Sequence, residues 1–283
     1  MNDIRIEVGA SSYFSRPSMI LDPNLFEGEH LRPDVRERIL SLYMDYMSSR
    51  YNEPASWSMV WLAGSGISFQ WAANRGNGDL DVLFGIDYDR FVTTNPDFQW
   101  SDRHEIAEYI TQDLRRNLWP RTAHIYFGLG EYELTFFLND NVEYSENSIV
   151  NIHPYAAYNL MTDSWTIKPP RLSENPAEMY PESYYAQGEA NKAAAQALVS
   201  RYNALRTEGQ MIAPGSPQDV NNRRSKALVR TEAENLFDAL HLGRKMAFSN
   251  QGEGYGDFYN FQWQHAKQHG VVNALNEIIN GRN

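Results

Sequence analysis

The sequence predicts an α/β fold in two parts: a domain with a mixed β-sheet over residues 1–170, then a helical domain over residues 171–283. Three observations carry that expectation. Short apolar runs bounded by glycine turns recur between residues 59 and 138, separated by segments of helical period. From residue 181 onward such runs stop, and alanine-rich helical sequence replaces them. Pro169-Pro170 punctuates the change. With 283 residues, 42% of them apolar and 13% aromatic, the chain is long and hydrophobic enough for one large core or two modest ones.

Residues 1–33 read as irregular, broken by Pro17, Pro23 and Pro33. Asp34 is placed to cap a helix reaching Tyr51, with Val35, Ile39, Leu42, Tyr43, Tyr46 and Met47 on one face and Asn52-Glu53-Pro54 ending it. The apolar run Met59–Leu62 reads as a strand that stops at Gly64-Ser65, and a helix is expected from Ile67 to Asn74. The turn Gly76-Asn77-Gly78 then opens a second strand, in which Leu80, Val82 and Phe84 point one way and Asp79 and Asp81 the other. Asp87 lies eight residues beyond Asp79, roughly 26 Å along a straight strand, too far to act with it. A helix follows from Asp102 to Leu118, built on Ile106, Tyr109, Ile110, Asp113 and Leu114. Arg115, Arg116 and Arg121 at its end complement the helix dipole, or else hold phosphate.

Two strands come next, His124–Leu129 and Glu131–Leu138, joined across Gly128–Gly130. Glu131, Glu133, Thr135 and Phe137 share one face of the second. Residues 139–171 read as a long aromatic connection with one short strand, in which Tyr155 and Tyr158 either stack on a base or pack between domains. The remainder reads as helices over 181–208, 218–248, 258–269 and 271–279. Gly252, Gly254 and Gly256 form a Gly-x-Gly-x-Gly turn, but no strand precedes it, so it is not a dinucleotide fingerprint. His265 and His269, four apart with no glutamate in sequence to match them, read as a solvated helix face.

The chemistry concentrates between Gly64 and Asp81. Gly64 lacks a Cβ and lets an anion approach the backbone, while Ser65 adds a hydroxyl at the start of the expected helix. Asp79 and Asp81 share a strand face with Cα atoms roughly 6.5–7 Å apart. That spacing suits two carboxylates bracketing a pair of divalent ions about 3.5–4 Å apart.

The ordered set of an apolar strand, Gly64-Ser65, a gap, and then Asp79-Leu80-Asp81-Val82 resembles the signature of the nucleotidyltransferase superfamily, the polymerase-beta-like fold. The resemblance covers about a quarter of the chain, and the flanks look like a bacterial and phage-encoded group of that superfamily. It implies a third acid on a later strand, for which Glu133 in GEYELTFFLN is the better match and Glu131 the rival. It further implies two Mg²⁺ or Mn²⁺ ions on Asp79, Asp81 and Glu133, with the β/γ-phosphates of an NTP such as ATP held at Gly64 and Ser65. The expected reaction moves a nucleoside monophosphate from the NTP to a hydroxyl acceptor and releases pyrophosphate, whose charge Arg244 and Lys245 would meet. An RNA or tRNA 3′ end is the first acceptor considered, approached through Arg223, Arg224, Lys226 and Arg230; a protein or small-molecule hydroxyl stands beside it. The alternative is a non-catalytic nucleotide- or partner-binding module on the same fold.

The net charge of −11 argues against broad, non-specific nucleic-acid binding, and most of the acid excess falls in the first half of the chain. The absence of cysteine excludes disulfides and thiolate metal sites. With no apolar run of membrane-spanning length and no basic-then-apolar leader, a soluble, cytoplasmic protein without membrane partners is expected.

Overall fold

The structure, a computed structural model, describes residues 3–9, 12–71, 78–171 and 179–281. The chain is a mixed α/β protein that divides into two compact units. One, the sheet unit, comprises Ser15–Asn175 and Phe248–Tyr255; the other, the helical unit, comprises Met1–Phe14, Pro176–Ala247 and Gly256–Asn283. The first residues thus group with the helices, and the glycine-rich turn is split, Gly252 and Gly254 grouping with the sheet and Gly256 with the helices.

In the sheet unit, a small hairpin of β1 (Phe26–Glu27) and β2 (His30–Leu31) turns at Gly28, whose φ of 63° suits glycine. Helix α1 (Pro33–Ser48) starts with proline at its first position, so Asp34 sits inside the first turn instead of capping it. A short α2 (Pro54–Trp57) feeds β3 (Ser58–Ala63), and β4 (Gly78–Ile86) returns beside it. Asp87 caps α3 (Tyr88–Thr94) by accepting from the Arg90 amide, which gives it a structural role. Helix α4 (Arg103–Asn117) opens with a reciprocal capping box between Asp102 and Glu105. After α5 (Trp119–Thr122) come β5 (Ile125–Phe127), β6 (Gly130–Glu143), β7 (Ala157–Asn159) and β8 (Ser164–Ile167).

Six of these strands form one mixed sheet in the order β5-β6-β4-β3-β7-β8, in which β4 and β6 run parallel and the other neighbours antiparallel. The connection between 139 and 171 thus supplies two strands where one was expected, and they extend the sheet past β3. One sheet face is fully packed: Val60, Leu62, Leu80, Val82, Phe84, Leu134 and Phe136 meet Val35, Ile39 and Tyr43 of α1 and Ile106, Ile110 and Leu114 of α4. The opposite face carries a smaller cluster that includes Met59, Trp61, Ala63, Leu83 and Ile152. That cluster covers only part of the face.

The helical unit contains α6 (Glu182–Gln210), α7 (Pro217–Ala247), α8 (Phe258–Gln268) and α9 (Val271–Asn280). Leu198, Tyr202, Val229, Ala233, Leu240, Trp263, Leu275 and Ile278 are buried among them, together with Ile4 from the N-terminal segment. Asn203 fixes that segment by accepting from the Ile4 amide at 3.1 Å and donating to its carbonyl at 2.8 Å. Among the described residues, no helix is long and apolar enough to cross a membrane.

Candidate functional site

The strand register brings the predicted acids onto one surface. Alternation along β4 puts Asp79, Asp81 and Leu83 on the face away from α1 and α4, while Leu80, Val82 and Phe84 are buried beneath those helices. Because β4 and β6 are parallel and in register, Asp79 lies beside Glu133 and Asp81 beside Thr135. Neighbouring strands are about 4.8 Å apart, so Glu133 is a closer backbone neighbour of Asp79 than Asp81 is. Asp79 and Glu133 are exposed and Asp81 is half-buried. The uncovered end of this sheet face is therefore acidic, and it grades into the apolar cluster within one pleat.

Asp81 is the best-fixed of the three. Its Oδ1 accepts from the Thr135 hydroxyl at 3.0 Å. Gly64 follows β3, where Ala63 pairs with Asp81, and adopts φ 91°. A Cβ on Gly64 would stand 2.9 Å from Asp81 Oδ2, so a side chain there would press on that carboxylate as well as strain the backbone. Gly66 serves the same contact differently: a Cβ there would meet the Asp79 carbonyl oxygen at 2.4 Å. The second glycine of Gly64-Ser65-Gly66 thus lets the turn lie against β4, a role the sequence reading did not assign.

The helix expected over Ile67–Asn74 is corrected. Ser65–Ile67 makes one 3₁₀ turn, and Ser68 bonds back to the Ser65 carbonyl through both its amide (3.1 Å) and its hydroxyl (2.7 Å). Glycine at 64 and 66 and the back-bonding serine compete with helix propagation, which the apolar spacing alone did not reveal. Residues 72–77, including the Gly76-Asn77 turn, lie outside the described residues. Ser65 accordingly opens a single turn, so the full helix-dipole contribution expected at that position is absent.

Glu131, the rival third acid, sits one pleat further back on β6, opposite Tyr126 of β5, with its Oε1 2.7 Å from His124 Nδ1. Its register partner lies on β5, whereas that of Glu133 lies on β4. The three carboxylates share a face without converging in the described rotamers. Among the described residues, the trio of His, Asp or Glu groups with ligand atoms all within 4.8 Å of one another is Glu189, His265 and His269, in the helical unit. Those histidines are not a solvated face: His265 is buried, and Glu189 comes from a helix 76 residues earlier, beyond the reach of any local spacing rule.

The remaining predicted residues have structural partners or belong to the helical unit. Arg244 and Lys245 are exposed in the last turn of α7, the Arg244 guanidinium 5.6 Å from the centre of the Trp263 ring. Arg223 is paired with Asp219, and Arg230 bonds the Tyr202 hydroxyl and the Gly281 carbonyl. Arg224 is exposed and Lys226 half-buried on the same helix. Tyr155 is buried in a stack with Tyr255 at 3.6 Å, and Tyr158 is buried with its hydroxyl donating to Asp163. Both rings pack within the sheet unit, so neither offers a free stacking platform. No protein-family model, curated protein or solved structure matches this chain.

Proposed function

We propose that the acidic end of the sheet face is the active site of a metal-dependent nucleotidyltransferase. The observation that carries the reading is the in-register placement of Glu133 beside Asp79 on parallel strands, with Asp81 on the same face against Gly64. An all-carboxylate donor set on an exposed surface suits hard, oxygen-seeking cations of the Mg²⁺ and Mn²⁺ type. Asp79 and Asp81 would hold two such ions, and Glu133 would complete the set. When bound, the ions would neutralise triphosphate charge and lower the pKa of an attacking hydroxyl.

The chain's own groups supply the rest. Gly64 keeps its own side-chain bulk away from Asp81, and phosphate oxygens would lie beside the 3₁₀ turn. The Ser65 hydroxyl would donate to a β- or γ-phosphate oxygen. Thr135 is a positioning residue that fixes one oxygen of Asp81 and so aims the other. In the reaction, the acceptor oxygen forms a bond to the α-phosphorus, the bond to the bridging oxygen breaks, and pyrophosphate leaves with that electron pair. The acceptor proton passes to a carboxylate or to solvent. An RNA 3′ end is the acceptor to test first.

The decisive experiment incubates the full chain with each α-labelled NTP, Mg²⁺ or Mn²⁺, and tRNA, total protein or no acceptor. Label transferred to an acceptor, and lost in Asp79→Ala and Asp81→Ala, supports the reading; no transfer under any combination rejects it. An RNA acceptor also requires affinity that falls steeply with salt. The spread of the three carboxylates beyond 4.8 Å favours, as second reading, a module that binds nucleotide without turning it over. Metal-dependent NTP binding without product would select it.

A further inference from the structure

Helix α6 is rich in alanine, yet it places a glycine, Gly188, in its second turn, at a cost of about 1 kcal/mol in helix propensity. The reason is on the neighbouring helix. A Cβ on Gly188 would stand 2.6 Å from His265 Nδ1 and 2.7 Å from its Cγ, so the glycine makes room for that imidazole. The ring is walled by Phe261, stacked at 6.0 Å, and by Phe14, edge-on at 6.3 Å. His265 is 4% exposed, and its buried Nδ1 has no hydrogen-bond partner. The Nε2 is therefore the nitrogen through which this ring acts.

That nitrogen points at Glu189, the residue after the glycine. His265 Nε2 lies 3.4 Å from Glu189 Oε1, and His269 Nε2 lies 3.9 Å from the same oxygen. His269 is the C-cap of α8, four residues after His265, and the two ring centres are 4.3 Å apart. Ligand atoms around a tetrahedral Zn²⁺ at about 2.0–2.1 Å are separated by roughly 3.3 Å, close to the distances already present. Lys192 is the nearby cation, its Nζ 3.2 Å from Glu189 Oε2 and 3.5 Å from Oε1. It sits on a flexible stem and occupies the outer oxygen more closely than the one shared by the histidines.

We propose that Glu189, His265 and His269 form a mononuclear site for a transition-metal ion of the Zn²⁺ class, tying α6 to the end of α8, with water as the fourth ligand. Two imidazoles and one carboxylate are the donors such ions prefer, and they differ from the all-oxygen set on the sheet. Glu189 and His269 are partly exposed, which gives the ion an entry path. This site is independent of the nucleotidyl-transfer reading.

The test uses untagged full chain, stripped with a chelator and titrated with Zn²⁺ by calorimetry and with Co²⁺ by visible absorption. One equivalent should bind at micromolar affinity or tighter, with the intense absorption of four-coordinate Co²⁺. Glu189→Gln and His269→Ala should each weaken binding at least tenfold, while Asp79→Ala leaves it unchanged. Because His265→Ala opens the core, the buried ring is followed instead in wild-type protein by histidine side-chain NMR, where both His265 and His269 should shift at one equivalent. Absence of a tight equivalent, wild-type affinity in either variant, or an unmoved ring would each overturn the site.

Discussion

The two faces of β4 differ although they are built from alternating residues of one strand. Leu80, Val82 and Phe84 meet α1 and α4 and are buried; Asp79 and Asp81, one residue out of phase, meet solvent. Helices cover the first face, and the opposing cluster of Trp61, Leu83 and Ile152 stops short of the acids on the second. The packed face stabilises the fold, and the uncovered end is where a charge can remain solvated and accept a ligand without the penalty of burial. Substitutions on the two faces should therefore separate activity from stability.

The largest effect is expected at the open end. Asp79→Ala or Asp81→Ala should lower nucleotidyl transfer by several orders of magnitude while the thermal midpoint stays near wild type, since Asp79 is exposed and Asp81 half-buried. Single-turnover rates and thermal melts on the same preparations check both halves of that statement. Retained turnover in either variant removes the proposed role. Phe84→Ala is the opposite case: Phe84 is fully buried, with the Tyr43 ring 4.9 Å away. It should cost about 3–5 kcal/mol of stability while the molecules that remain folded keep their transfer activity. Urea unfolding, with activity normalised to the folded fraction, checks it.

The contrast also explains what the sequence could and could not disclose. Alternation along Asp79–Phe84 is a local property with a period of two, so the strand and its buried face were legible, as was a helix beginning near Asp102, though not its capping box. Which strand lies beside β4, and in which register, is not local. Glu133 was reached through a resemblance; its pairing with Asp79 is visible only in the sheet. Asp81's bond to Thr135 spans 54 residues, and Glu189 meets His265 across two helices. Apolar periodicity failed at Ile67 because it records burial: Ile67 and Phe69 are buried, yet glycines and a back-bonding serine hold them in a turn.

Between the two extremes lies Gly64, where backbone and site coincide. Gly64→Ala places a side chain at φ 91° and 2.9 Å from Asp81 Oδ2. The backbone strain should cost about 1–3 kcal/mol. Displacement of Asp81 should lower transfer beyond what the lost stability explains. A melt paired with a metal-dependence curve tests this: the variant should need more Mg²⁺ for half-maximal rate. An unchanged metal requirement would mean that the glycine serves the turn alone.

Thr135 offers the finest division between the faces, because it sits in β6 among residues whose alternate side chains are core. Its hydroxyl donates to Asp81 Oδ1 at 3.0 Å, and valine has nearly the same shape without the donor. Loss of one such bond is worth about 0.5–1.5 kcal/mol. Valine also favours a strand, so Thr135→Val should move the thermal midpoint little. If Asp81 must be aimed by that bond, the rate should fall roughly tenfold, the equivalent of about 1.4 kcal/mol, with NTP affinity less affected. Thr135→Ser keeps the donor and should restore most of the rate. Equal rates in the valine and serine variants would show that the hydroxyl only fills space beside the carboxylate, leaving Gly64 as the contact that orients Asp81.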